Sequence, residues 1–460
     1  MRKPLKVAPG RITSSSAIPS RPSESKRPPA RDSPRRFGPC HNLQMVLVGL
    51  VDRLRSKFGD RRHTASVTSR ASLEELSVAL SSSKGEASGV ALASAILDRY
   101  QTLDDPSKIE YLSWLCQSLA PDPQRLDAAT RAYLHDPSET NIIELSRAVE
   151  APRQEFLRRL NQAPGATSVI VGMRSDLLAT GRHRGDLQGL DADLVHLLTS
   201  WFNRGFLEMR SITWSAPADI LERIIAYEAV HEIADWDELR RRLLPEDRRC
   251  FAFFHPVMPG EPLVFVEVAL TSGTPRSISE ILSSGRDTKD PLDANTATFY
   301  SISNCQPGLS GVSFGNFLLK QVVKDLQREF PGINNFVTLS PVPGFANWVA
   351  NETDVSVKEI HTWPEEQLRQ LSLRYFLHAR RADGSPLDPV ARFHLRNGAA
   401  LDAVMPAANP SKRSESESFG LMVSYRYDAK HIEDRHEHYI ADHTVALSEA
   451  LLNEVKQIRP

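Results

Sequence analysis

Two short stretches of the sequence hold a polar side chain in a restricted setting. In "TLSPVPGF", residues 338–345, Ser340 precedes two prolines and a glycine, so the chain bends sharply just after the hydroxyl. Pro341 restricts Ser340 to an extended backbone, which aims the hydroxyl and keeps it from capping a helix. This pattern favours a hydroxyl presented to a ligand, with a serine in a rigid turn as the alternative.

The second stretch, "LDPVARFHLRNGA", predicts a short helix that carries His394 in its second turn. Asp388 is the predicted N-cap, and Val390 and Phe393 are expected to anchor the helix. Imidazole is a common general acid or base at neutral pH, so His394 is a candidate catalytic residue. A structural histidine is the alternative, and the catalytic interpretation requires that His394 meets Ser340.

A glycine-containing loop, "CQPGLSGVSFGNF" at residues 305–317, is the third candidate. Glycines let backbone N–H groups turn toward a ligand, and a helix N-terminus adds partial positive charge, so this loop could seat a pyrophosphate. Its spacing matches neither a Walker loop nor a Rossmann fingerprint. A glycine turn without a ligand is the alternative.

These candidates fall in a region where strands and helices alternate. Segments rich in β-branched and aromatic residues predict strands at 248–256, 262–270, 296–304 and 334–340. Between the last two, "GNFLLKQVVKDLQREF" repeats apolar residues four apart and predicts an amphipathic helix. Such a strand–loop–helix–strand unit joins parallel or splayed strands, so the glycine loop and Ser340 should meet at one edge of the sheet.

The chain before residue 201 has a different pattern. Residues 68–200 repeat apolar positions at helical spacing, which predicts a helical bundle that serves as scaffold and in self-association. Residues 1–67 are predicted to be a disordered, basic, Pro/Ser-rich leader and a short linker, because residues 1–37 carry ten Lys or Arg and almost nothing to bury. Residues 201–460 form the predicted catalytic domain.

Composition argues against several kinds of partner. The net charge is -1, so no global field favours nucleic acid, and no apolar run reaches the roughly 18 residues of a membrane helix. The four cysteines lie far apart without CxxC spacing, which argues against a disulfide framework or a zinc site and fits a reducing cytoplasm. "HIEDRHEHYIADH" is rich in histidine, but its charged composition indicates a solvated helix, so no metal site is predicted.

Five segments occurring in this order resemble the malonyl-CoA decarboxylase family: "FFHPVMPGEPLVFVEVALT", "FYSISNCQPGLSGVSFGNFLLKQVVKDLQREFP", "LSPVPGF", "FHLRNGA" and "GLMVSYRY". That family pairs an N-terminal helical domain with a catalytic domain similar to the GNAT acetyltransferase fold. The resemblance therefore implies a mixed α+β and α/β protein, in which an all-helical bundle precedes a GNAT-like domain with a central mixed sheet flanked by helices. It also implies a homotetramer with malonyl-CoA as substrate.

The resemblance implies roles for individual residues as well. The family's catalytic serine and histidine fall on Ser340 and His394. Its malonyl-CoA-binding loop falls on seven consecutive residues: Ser310, Gly311, Val312, Ser313, Phe314, Gly315 and Asn316. On the helix that follows, Lys320, Lys324 and Arg328 are candidates for the adenosine phosphate of coenzyme A.

The implied reaction is loss of CO2 from malonyl-CoA, which gives acetyl-CoA through a thioester enolate. Because the thioester carbonyl delocalises the carbanion, no metal or organic cofactor is predicted. His394, with a pKa near the working pH, would protonate the carbon, and Ser340 would bind and orient the malonyl group. A GNAT-type acyltransferase and a non-catalytic acyl-CoA sensor are the alternatives.

The resemblance also bears on location. The ending "QIRP" stands where some family members carry a Ser-Lys-Leu peroxisomal signal, so a cytoplasmic enzyme is expected. Organelle targeting by the basic leader is the alternative.

Overall fold

The computed structural model describes residues 71–82, 85–181, 185–312, 317–355 and 357–458, all within one compact unit. The predicted leader and linker, residues 1–67, lie outside the described residues. So do Ser313, Phe314, Gly315 and Asn316 of the predicted substrate loop. None of the helices in the described part is long and apolar enough to cross a membrane.

The amino-terminal part of the described chain is helical, as the apolar spacing predicts. Its helices are α1 (Leu73–Ser82), α2 (Glu86–Gln101), α3 (Asp105–Ser118), α4 (Pro123–His135), α5 (Glu139–Val149), α6 (Pro152–Leu160), α7 (Ala166–Gly181) and α8 (Gln188–Trp201). Helix α3 begins after Asp104, whose carboxylate accepts the backbone N–H of Ser107 at 3.0 Å. Leu76, Leu112 and Leu157 are among the buried side chains that join α1, α2, α3, α6, α7 and α8 in one core.

The following residues form one mixed sheet. Its strands are β1 (Glu208–Ser211), β2 (Arg248–Phe254), β3 (Val264–Thr271), β4 (Thr296–Asn304), β5 (Asn335–Thr338), β6 (Ser340–Pro341), β7 (Ala400–Met405) and β8 (Met422–Tyr427). The order across the sheet is β1-β2-β3-β4-β5-β8-β6, and β7 also pairs with β8. Only β4 and β5 pair in parallel among these strands, and the other pairs are antiparallel.

Helices cover the sheet and connect its strands. They are α9 (Ala218–Tyr227), α10 (Trp236–Leu243), α11 (Ser279–Leu282), α12 (Phe317–Glu329), α13 (Phe345–Glu352), α14 (Val357–Ile360), α15 (Glu365–His378), α16 (Pro389–Arg396), α17 (Lys412–Ser418), α18 (Ile432–Asp442) and α19 (Glu449–Ile458). The predicted amphipathic helix is α12, and it buries Leu318, Val322 and Leu326 against the sheet. The predicted architecture, a helical region followed by a mixed sheet flanked by helices, is confirmed.

Strands β4 and β5 separate near the predicted site. Their parallel pairing ends at Phe299 and Thr338, followed by one hydrogen bond from the Leu339 N–H to the Phe299 carbonyl at 2.9 Å. From Ser340 the chain keeps its pairing with β8 but no longer pairs with β4, and the strand predicted at 334–340 is divided at Leu339. The divergence opens a wedge between β4 and β6.

Candidate active site

Ser340 lies at the start of β6, on one side of this wedge. The side chain is buried, and its hydroxyl donates to Thr338 Oγ1 at 2.9 Å. Thr338 Oγ1 also accepts the backbone N–H of Tyr425 at 3.0 Å, so β8 supports the threonine that supports the serine. The bend after Ser340 therefore places its hydroxyl inside a hydrogen-bonded setting and not in solvent.

Helix α16 delivers His394 to the same place. Asp388 caps the helix as predicted, accepting the Ala391 N–H at 2.8 Å. The side chains that bury the helix are Ala391, Leu395 and His394 itself. The expectation that Phe393 anchors the helix is wrong, because Phe393 is 41% exposed and lines a cavity.

Ser340 and His394 are in contact, as the catalytic interpretation requires. Ser340 Oγ and His394 Nε2 are 3.1 Å apart, and His394 Nδ1 is 2.8 Å from the Tyr427 hydroxyl. Since the serine hydroxyl donates to Thr338, its oxygen is free to accept from Nε2–H, and Nδ1 then accepts the Tyr427 hydroxyl. In this assignment the Ser340 hydroxyl, the His394 Nε2–H and the Tyr427 hydroxyl each have an acceptor.

Burial determines the charge of this imidazole. His394 is 2% exposed, its ring stacks on Tyr425 at a centroid distance of 4.5 Å, and desolvation lowers the pKa of His394 to about 3. The expectation of a pKa near the working pH is therefore wrong for the ligand-free protein. The resting imidazole is neutral.

The wedge encloses a small pocket of about 220 Å³. Ser340, Pro341 and His394 line one side, and five residues of β4 line the other: Phe299, Tyr300, Ser301, Ile302 and Asn304. Within the described residues its lining includes no lysine or arginine. The pocket can therefore hold a small group in a poorly solvated space beside a hydroxyl and an imidazole.

A much larger cleft of about 1220 Å³ meets this pocket. The two share the lining residues Ile302, Asn304, Pro389 and Phe393. Ligand pockets usually measure about 300–1,000 Å³, so this cleft can take a long ligand whose end enters the small pocket. Three arginines line it: Arg381, Arg392 and Arg396.

The described part of the predicted substrate loop, Ser310, Gly311 and Val312, lines the large cleft. Helix α7 holds this loop, because Arg174 donates to the carbonyls of Gly308 at 2.7 Å and Ser310 at 2.6 Å.

The loop and α7 approach each other so closely that a Cβ at Gly308 would lie 1.9 Å from the carbonyl oxygen of Val171. Helix α7 also contributes Ser175, Leu178 and Ala179 to the cleft. The sequence analysis gave the helical region only scaffold and association roles, so this contribution was missed.

Other predicted positions lie elsewhere. Lys320 pairs with Glu433 and Arg328 with Asp325, and neither they nor Lys324 line the cleft. In the histidine-rich segment, His436 Nδ1 lies 2.6 Å from the Arg396 carbonyl and His438 Nδ1 lies 2.7 Å from the Asp434 carbonyl. Among the described residues, no three His, Cys, Asp or Glu side chains are grouped to hold a metal ion.

Sequence reasoning missed Tyr427 and Tyr425, although a signal was present. The two tyrosines alternate along β8 in "GLMVSYRY", so both project from the same face of the strand. That face meets His394, where Tyr425 supplies a stacking ring and Tyr427 a hydroxyl.

A long cleft that narrows onto a buried hydroxyl–imidazole pair is the geometry of an enzyme site for an elongated ligand with a small reactive end. Family models match two parts of this chain. Residues 205–364 and 355–459 match the malonyl-CoA decarboxylase C-terminal domain, and residues 119–202 match the malonyl-CoA decarboxylase N-terminal domain.

Individual relatives give the same result. Over 358 residues the chain is 32% identical to the mitochondrial malonyl-CoA decarboxylase of Anser anser anser, covering 67% of this chain and 70% of the relative. The mitochondrial enzyme of Rattus norvegicus is 33% identical, with 67% and 72% covered.

Solved structures extend the match. The malonyl-CoA decarboxylase of Rhodopseudomonas palustris superposes with a TM-score of 0.78 at 46% identity, covering 82% of this chain and 98% of that one. The malonyl-CoA decarboxylase of Agrobacterium vitis superposes with a TM-score of 0.76 at 48% identity, again covering 82% of this chain and 98% of that one. The chain belongs to the malonyl-CoA decarboxylase family.

Proposed function

We propose that this protein is a carboxy-lyase that converts malonyl-CoA to acetyl-CoA and CO2. Family membership supports the reaction. The observation that carries the proposal is the 3.1 Å contact between Ser340 and His394 at the side of a small pocket that opens into a large cleft.

The two cavities suit the two ends of the substrate. The malonyl group fits the small pocket, and the pantetheine arm passes the shared residues Ile302, Asn304 and Phe393. The phosphates then lie in the large cleft near Arg381 and Arg396, which are exposed there. These arginines replace the lysines of α12 as the candidates for the coenzyme A phosphates.

The lining of the small pocket suits loss of CO2. The bond between the α-carbon and the carboxylate breaks, its electron pair passes into the thioester enolate, and neutral CO2 leaves. A lysine or arginine beside the carboxylate would stabilise the charge that has to disappear, and the described lining includes neither. A poorly solvated pocket favours the transition state, in which this charge is more dispersed.

His394 is the proposed proton donor. The resting imidazole is neutral because burial lowers its pKa to about 3. The enolate that remains after CO2 has left places a negative charge beside His394 and favours the imidazolium form, so a proton from solvent enters at that stage. His394 then gives this proton to the enolate carbon, and Ser340 binds and orients the malonyl group. Each turnover consumes one proton and leaves a neutral histidine.

We extend the proposal to the organisation of the protein. Residues 68–200 are the oligomerisation domain of a homotetramer, residues 201–460 the catalytic domain, and the cytoplasm the location. Support for self-association comes from α4 and α5, where Leu134, Ile142, Ile143 and Val149 are exposed.

Incubation with carboxyl-labelled malonyl-CoA, without an amine acceptor or added cofactor, tests the reaction. We expect released CO2 to equal the acetyl-CoA formed. Transfer that needs an amine would indicate an acyltransferase, and substrate recovered unchanged would indicate a sensor; either result would refute the proposal.

Two substitutions test the roles of the residues. His394→Asn should lower kcat by about 10²- to 10⁴-fold, the usual contribution of general acid catalysis. Ser340→Ala should lower kcat/KM by about 10- to 100-fold through loss of a hydrogen bond to a charged group. The controls are His438→Asn and Ser416→Ala, which change exposed residues of the same types. Normal turnover in either site variant would remove that residue from the mechanism.

A further inference from the structure

On the side of the small pocket opposite Ser340, an acidic side chain holds the lining residues in place. Ser301 and Val230 line the pocket there, and both are held by Glu228, which follows α9. The Ser301 hydroxyl donates to Glu228 Oε1 at 2.8 Å and to Oε2 at 2.7 Å. The Val230 N–H donates to Oε1 at 2.9 Å. One carboxylate thus positions two pocket-lining residues.

The remaining partners of Glu228 are also donors. Oε1 accepts the His231 N–H at 2.7 Å, and Oε2 accepts the Ser303 hydroxyl at 3.1 Å. The side chain is almost fully buried, and among the described residues no lysine, arginine or histidine forms an ion pair with it. All of these partners donate to the carboxylate oxygens, so an acidic group without a direct ion-pair partner lies behind Ser301.

The two arginines that face this carboxylate form their ion pairs with other acidic groups. Arg242 pairs with Glu238 at 2.6 Å and with Glu267, the β3 residue opposite Ser301, at 3.1 Å. Arg413 pairs with Glu417 at 3.0 Å and donates to the Ala229 carbonyl at 2.7 Å.

Two titratable groups complete these surroundings. Desolvation raises the pKa of Glu267 to about 8, and desolvation lowers the pKa of His231 to about 3. His231 therefore places no full positive charge against Glu228 near neutral pH, whereas the Arg242 guanidinium acts on Glu228 from beyond ion-pair distance.

We propose that Glu228 is a positioning residue for decarboxylation: it fixes Ser301 and Val230 on one side of the acyl pocket, and its charge disfavours the substrate carboxylate that must leave from there. This inference rests on the proposed function. In the ground state the malonyl carboxylate and Glu228 repel across the Ser301 hydroxyl. In the transition state the electron pair moves toward the thioester oxygen and the carboxylate carbon becomes neutral CO2, so the repulsion falls.

Kinetics of Glu228→Gln test the charge while keeping a side chain that can hydrogen-bond both serines. We expect kcat and KM for malonyl-CoA to fall together, kcat by about tenfold, which is the signature of lost ground-state destabilisation. The inhibition constant of acetyl-CoA, which has no carboxylate, should stay within about twofold. Glu222→Gln, an exposed change on α9, is the matched control.

Ser301→Ala gives a second test in the opposite direction. It removes the hydroxyl between the two charges, so KM for malonyl-CoA should rise while the acetyl-CoA inhibition constant again changes little. Equal changes for both thioesters would show a structural role only, and an unchanged kcat in Glu228→Gln would exclude the charge effect. If the wild-type protein releases no CO2 from malonyl-CoA, the proposed function is refuted. If the wild type releases CO2 but Glu228→Gln behaves like the wild type, only the role of Glu228 is refuted.

Discussion

The hydrogen bonds of His394 determine which ring nitrogen carries the hydrogen that faces the pocket. Tyr427 stays protonated because burial raises its pKa, and its hydroxyl lies 2.8 Å from Nδ1; we assign the hydroxyl as the donor, because Nε2–H then has Ser340 Oγ as its acceptor. That leaves the hydrogen on Nε2, toward Ser340 and the pocket. A tyrosine on β8 thereby orients a histidine on α16 toward the reacting group.

Tyr427→Phe tests this orientation. It removes the hydroxyl and keeps the ring that packs edge-on against Phe299 at 6.4 Å. Loss of one neutral hydrogen bond of about 0.5–1.5 kcal/mol should lower kcat by about 2- to 10-fold, with little change in KM. Tyr133→Phe on α4 is the control, and a Tyr427→Phe enzyme with full kcat would show that the tyrosine does not orient His394.

The sequence allowed the residues of this site to be predicted, but not the groups that surround them. The proline bend indicates Ser340, and the capped helix indicates His394, from local sequence alone. The partners Thr338 and Tyr427 come from β5 and β8, whose pairing depends on strands more than 80 residues apart. The low pKa of His394 follows from burial by those elements, which no local pattern reports.

At the scale of elements, the N-cap of α16 links the position of His394 to pH. Asp388 is fully buried, and desolvation raises its pKa from 3.8 to about 6. The folded protein therefore holds a proton that the unfolded chain releases between about pH 4 and 6. The contribution of Asp388 to the free energy of unfolding is therefore highest below pH 4, and it is lost as the pH rises through 6.

Asp388→Asn removes that titration and keeps an oxygen for the Ala391 N–H. Relative to the wild type, we expect the free energy of unfolding of the variant to rise by about 1–3 kcal/mol between pH 4 and pH 7. Urea denaturation at both pH values measures the difference.

The control for this prediction is Asp104→Asn, the exposed N-cap of α3. The Ser107 hydrogen bonds lower the pKa of Asp104. The contribution of Asp104 to the free energy of unfolding is therefore lost as the pH falls, which is the opposite of the pH dependence expected for Asp388. An Asp388→Asn difference that does not change with pH would mean that the carboxyl titrates normally.

The contact between α7 and the loop before α12 is a second element-scale feature. Because a Cβ at Gly308 would meet the Val171 carbonyl at 1.9 Å, Gly308→Ala must move the loop or the helix. Overpacking of this kind usually costs about 1–3 kcal/mol. We expect that loss in the free energy of unfolding together with a raised KM for malonyl-CoA, since the loop lines the cleft.

Two further variants identify the cause. Gly285→Ala, where an added Cβ meets open space, should change neither quantity. Arg174→Met removes the hydrogen bonds to the Gly308 and Ser310 carbonyls without adding atoms to the loop, and it should also raise KM. A normal KM in both Gly308→Ala and Arg174→Met would show that the loop's position does not matter for binding.

Element boundaries were predictable where one physical cause dominated. The strand at 296–304 has the predicted bounds because its β-branched and aromatic run is buried from Thr296 to Tyr300. The division at Leu339 was not predictable, because it arises where the pairing with β4 ends while the pairing with β8 continues.

At the scale of the whole molecule, α4 and α5 form a hairpin that has little contact with the rest of the described chain. Helix α4 has no buried residue, and α5 buries only Ala148. Leu134 is 74% exposed, and Ile142, Ile143 and Val149 are exposed with it. A cluster of apolar side chains on one exposed hairpin is typical of an association surface.

A second copy of the chain is the proposed occupant of that hairpin, so charges placed there should lower the oligomeric state. We expect Leu134→Asp combined with Ile142→Asp to give a smaller particle by size-exclusion chromatography with light scattering. Leu292→Asp, at an exposed position outside the hairpin, should leave the mass unchanged. Because the hairpin lies outside both cavities, the smaller particle should keep its KM for malonyl-CoA. An unchanged mass in the double variant would place the oligomer contact elsewhere, and a monomeric wild type would refute self-association altogether.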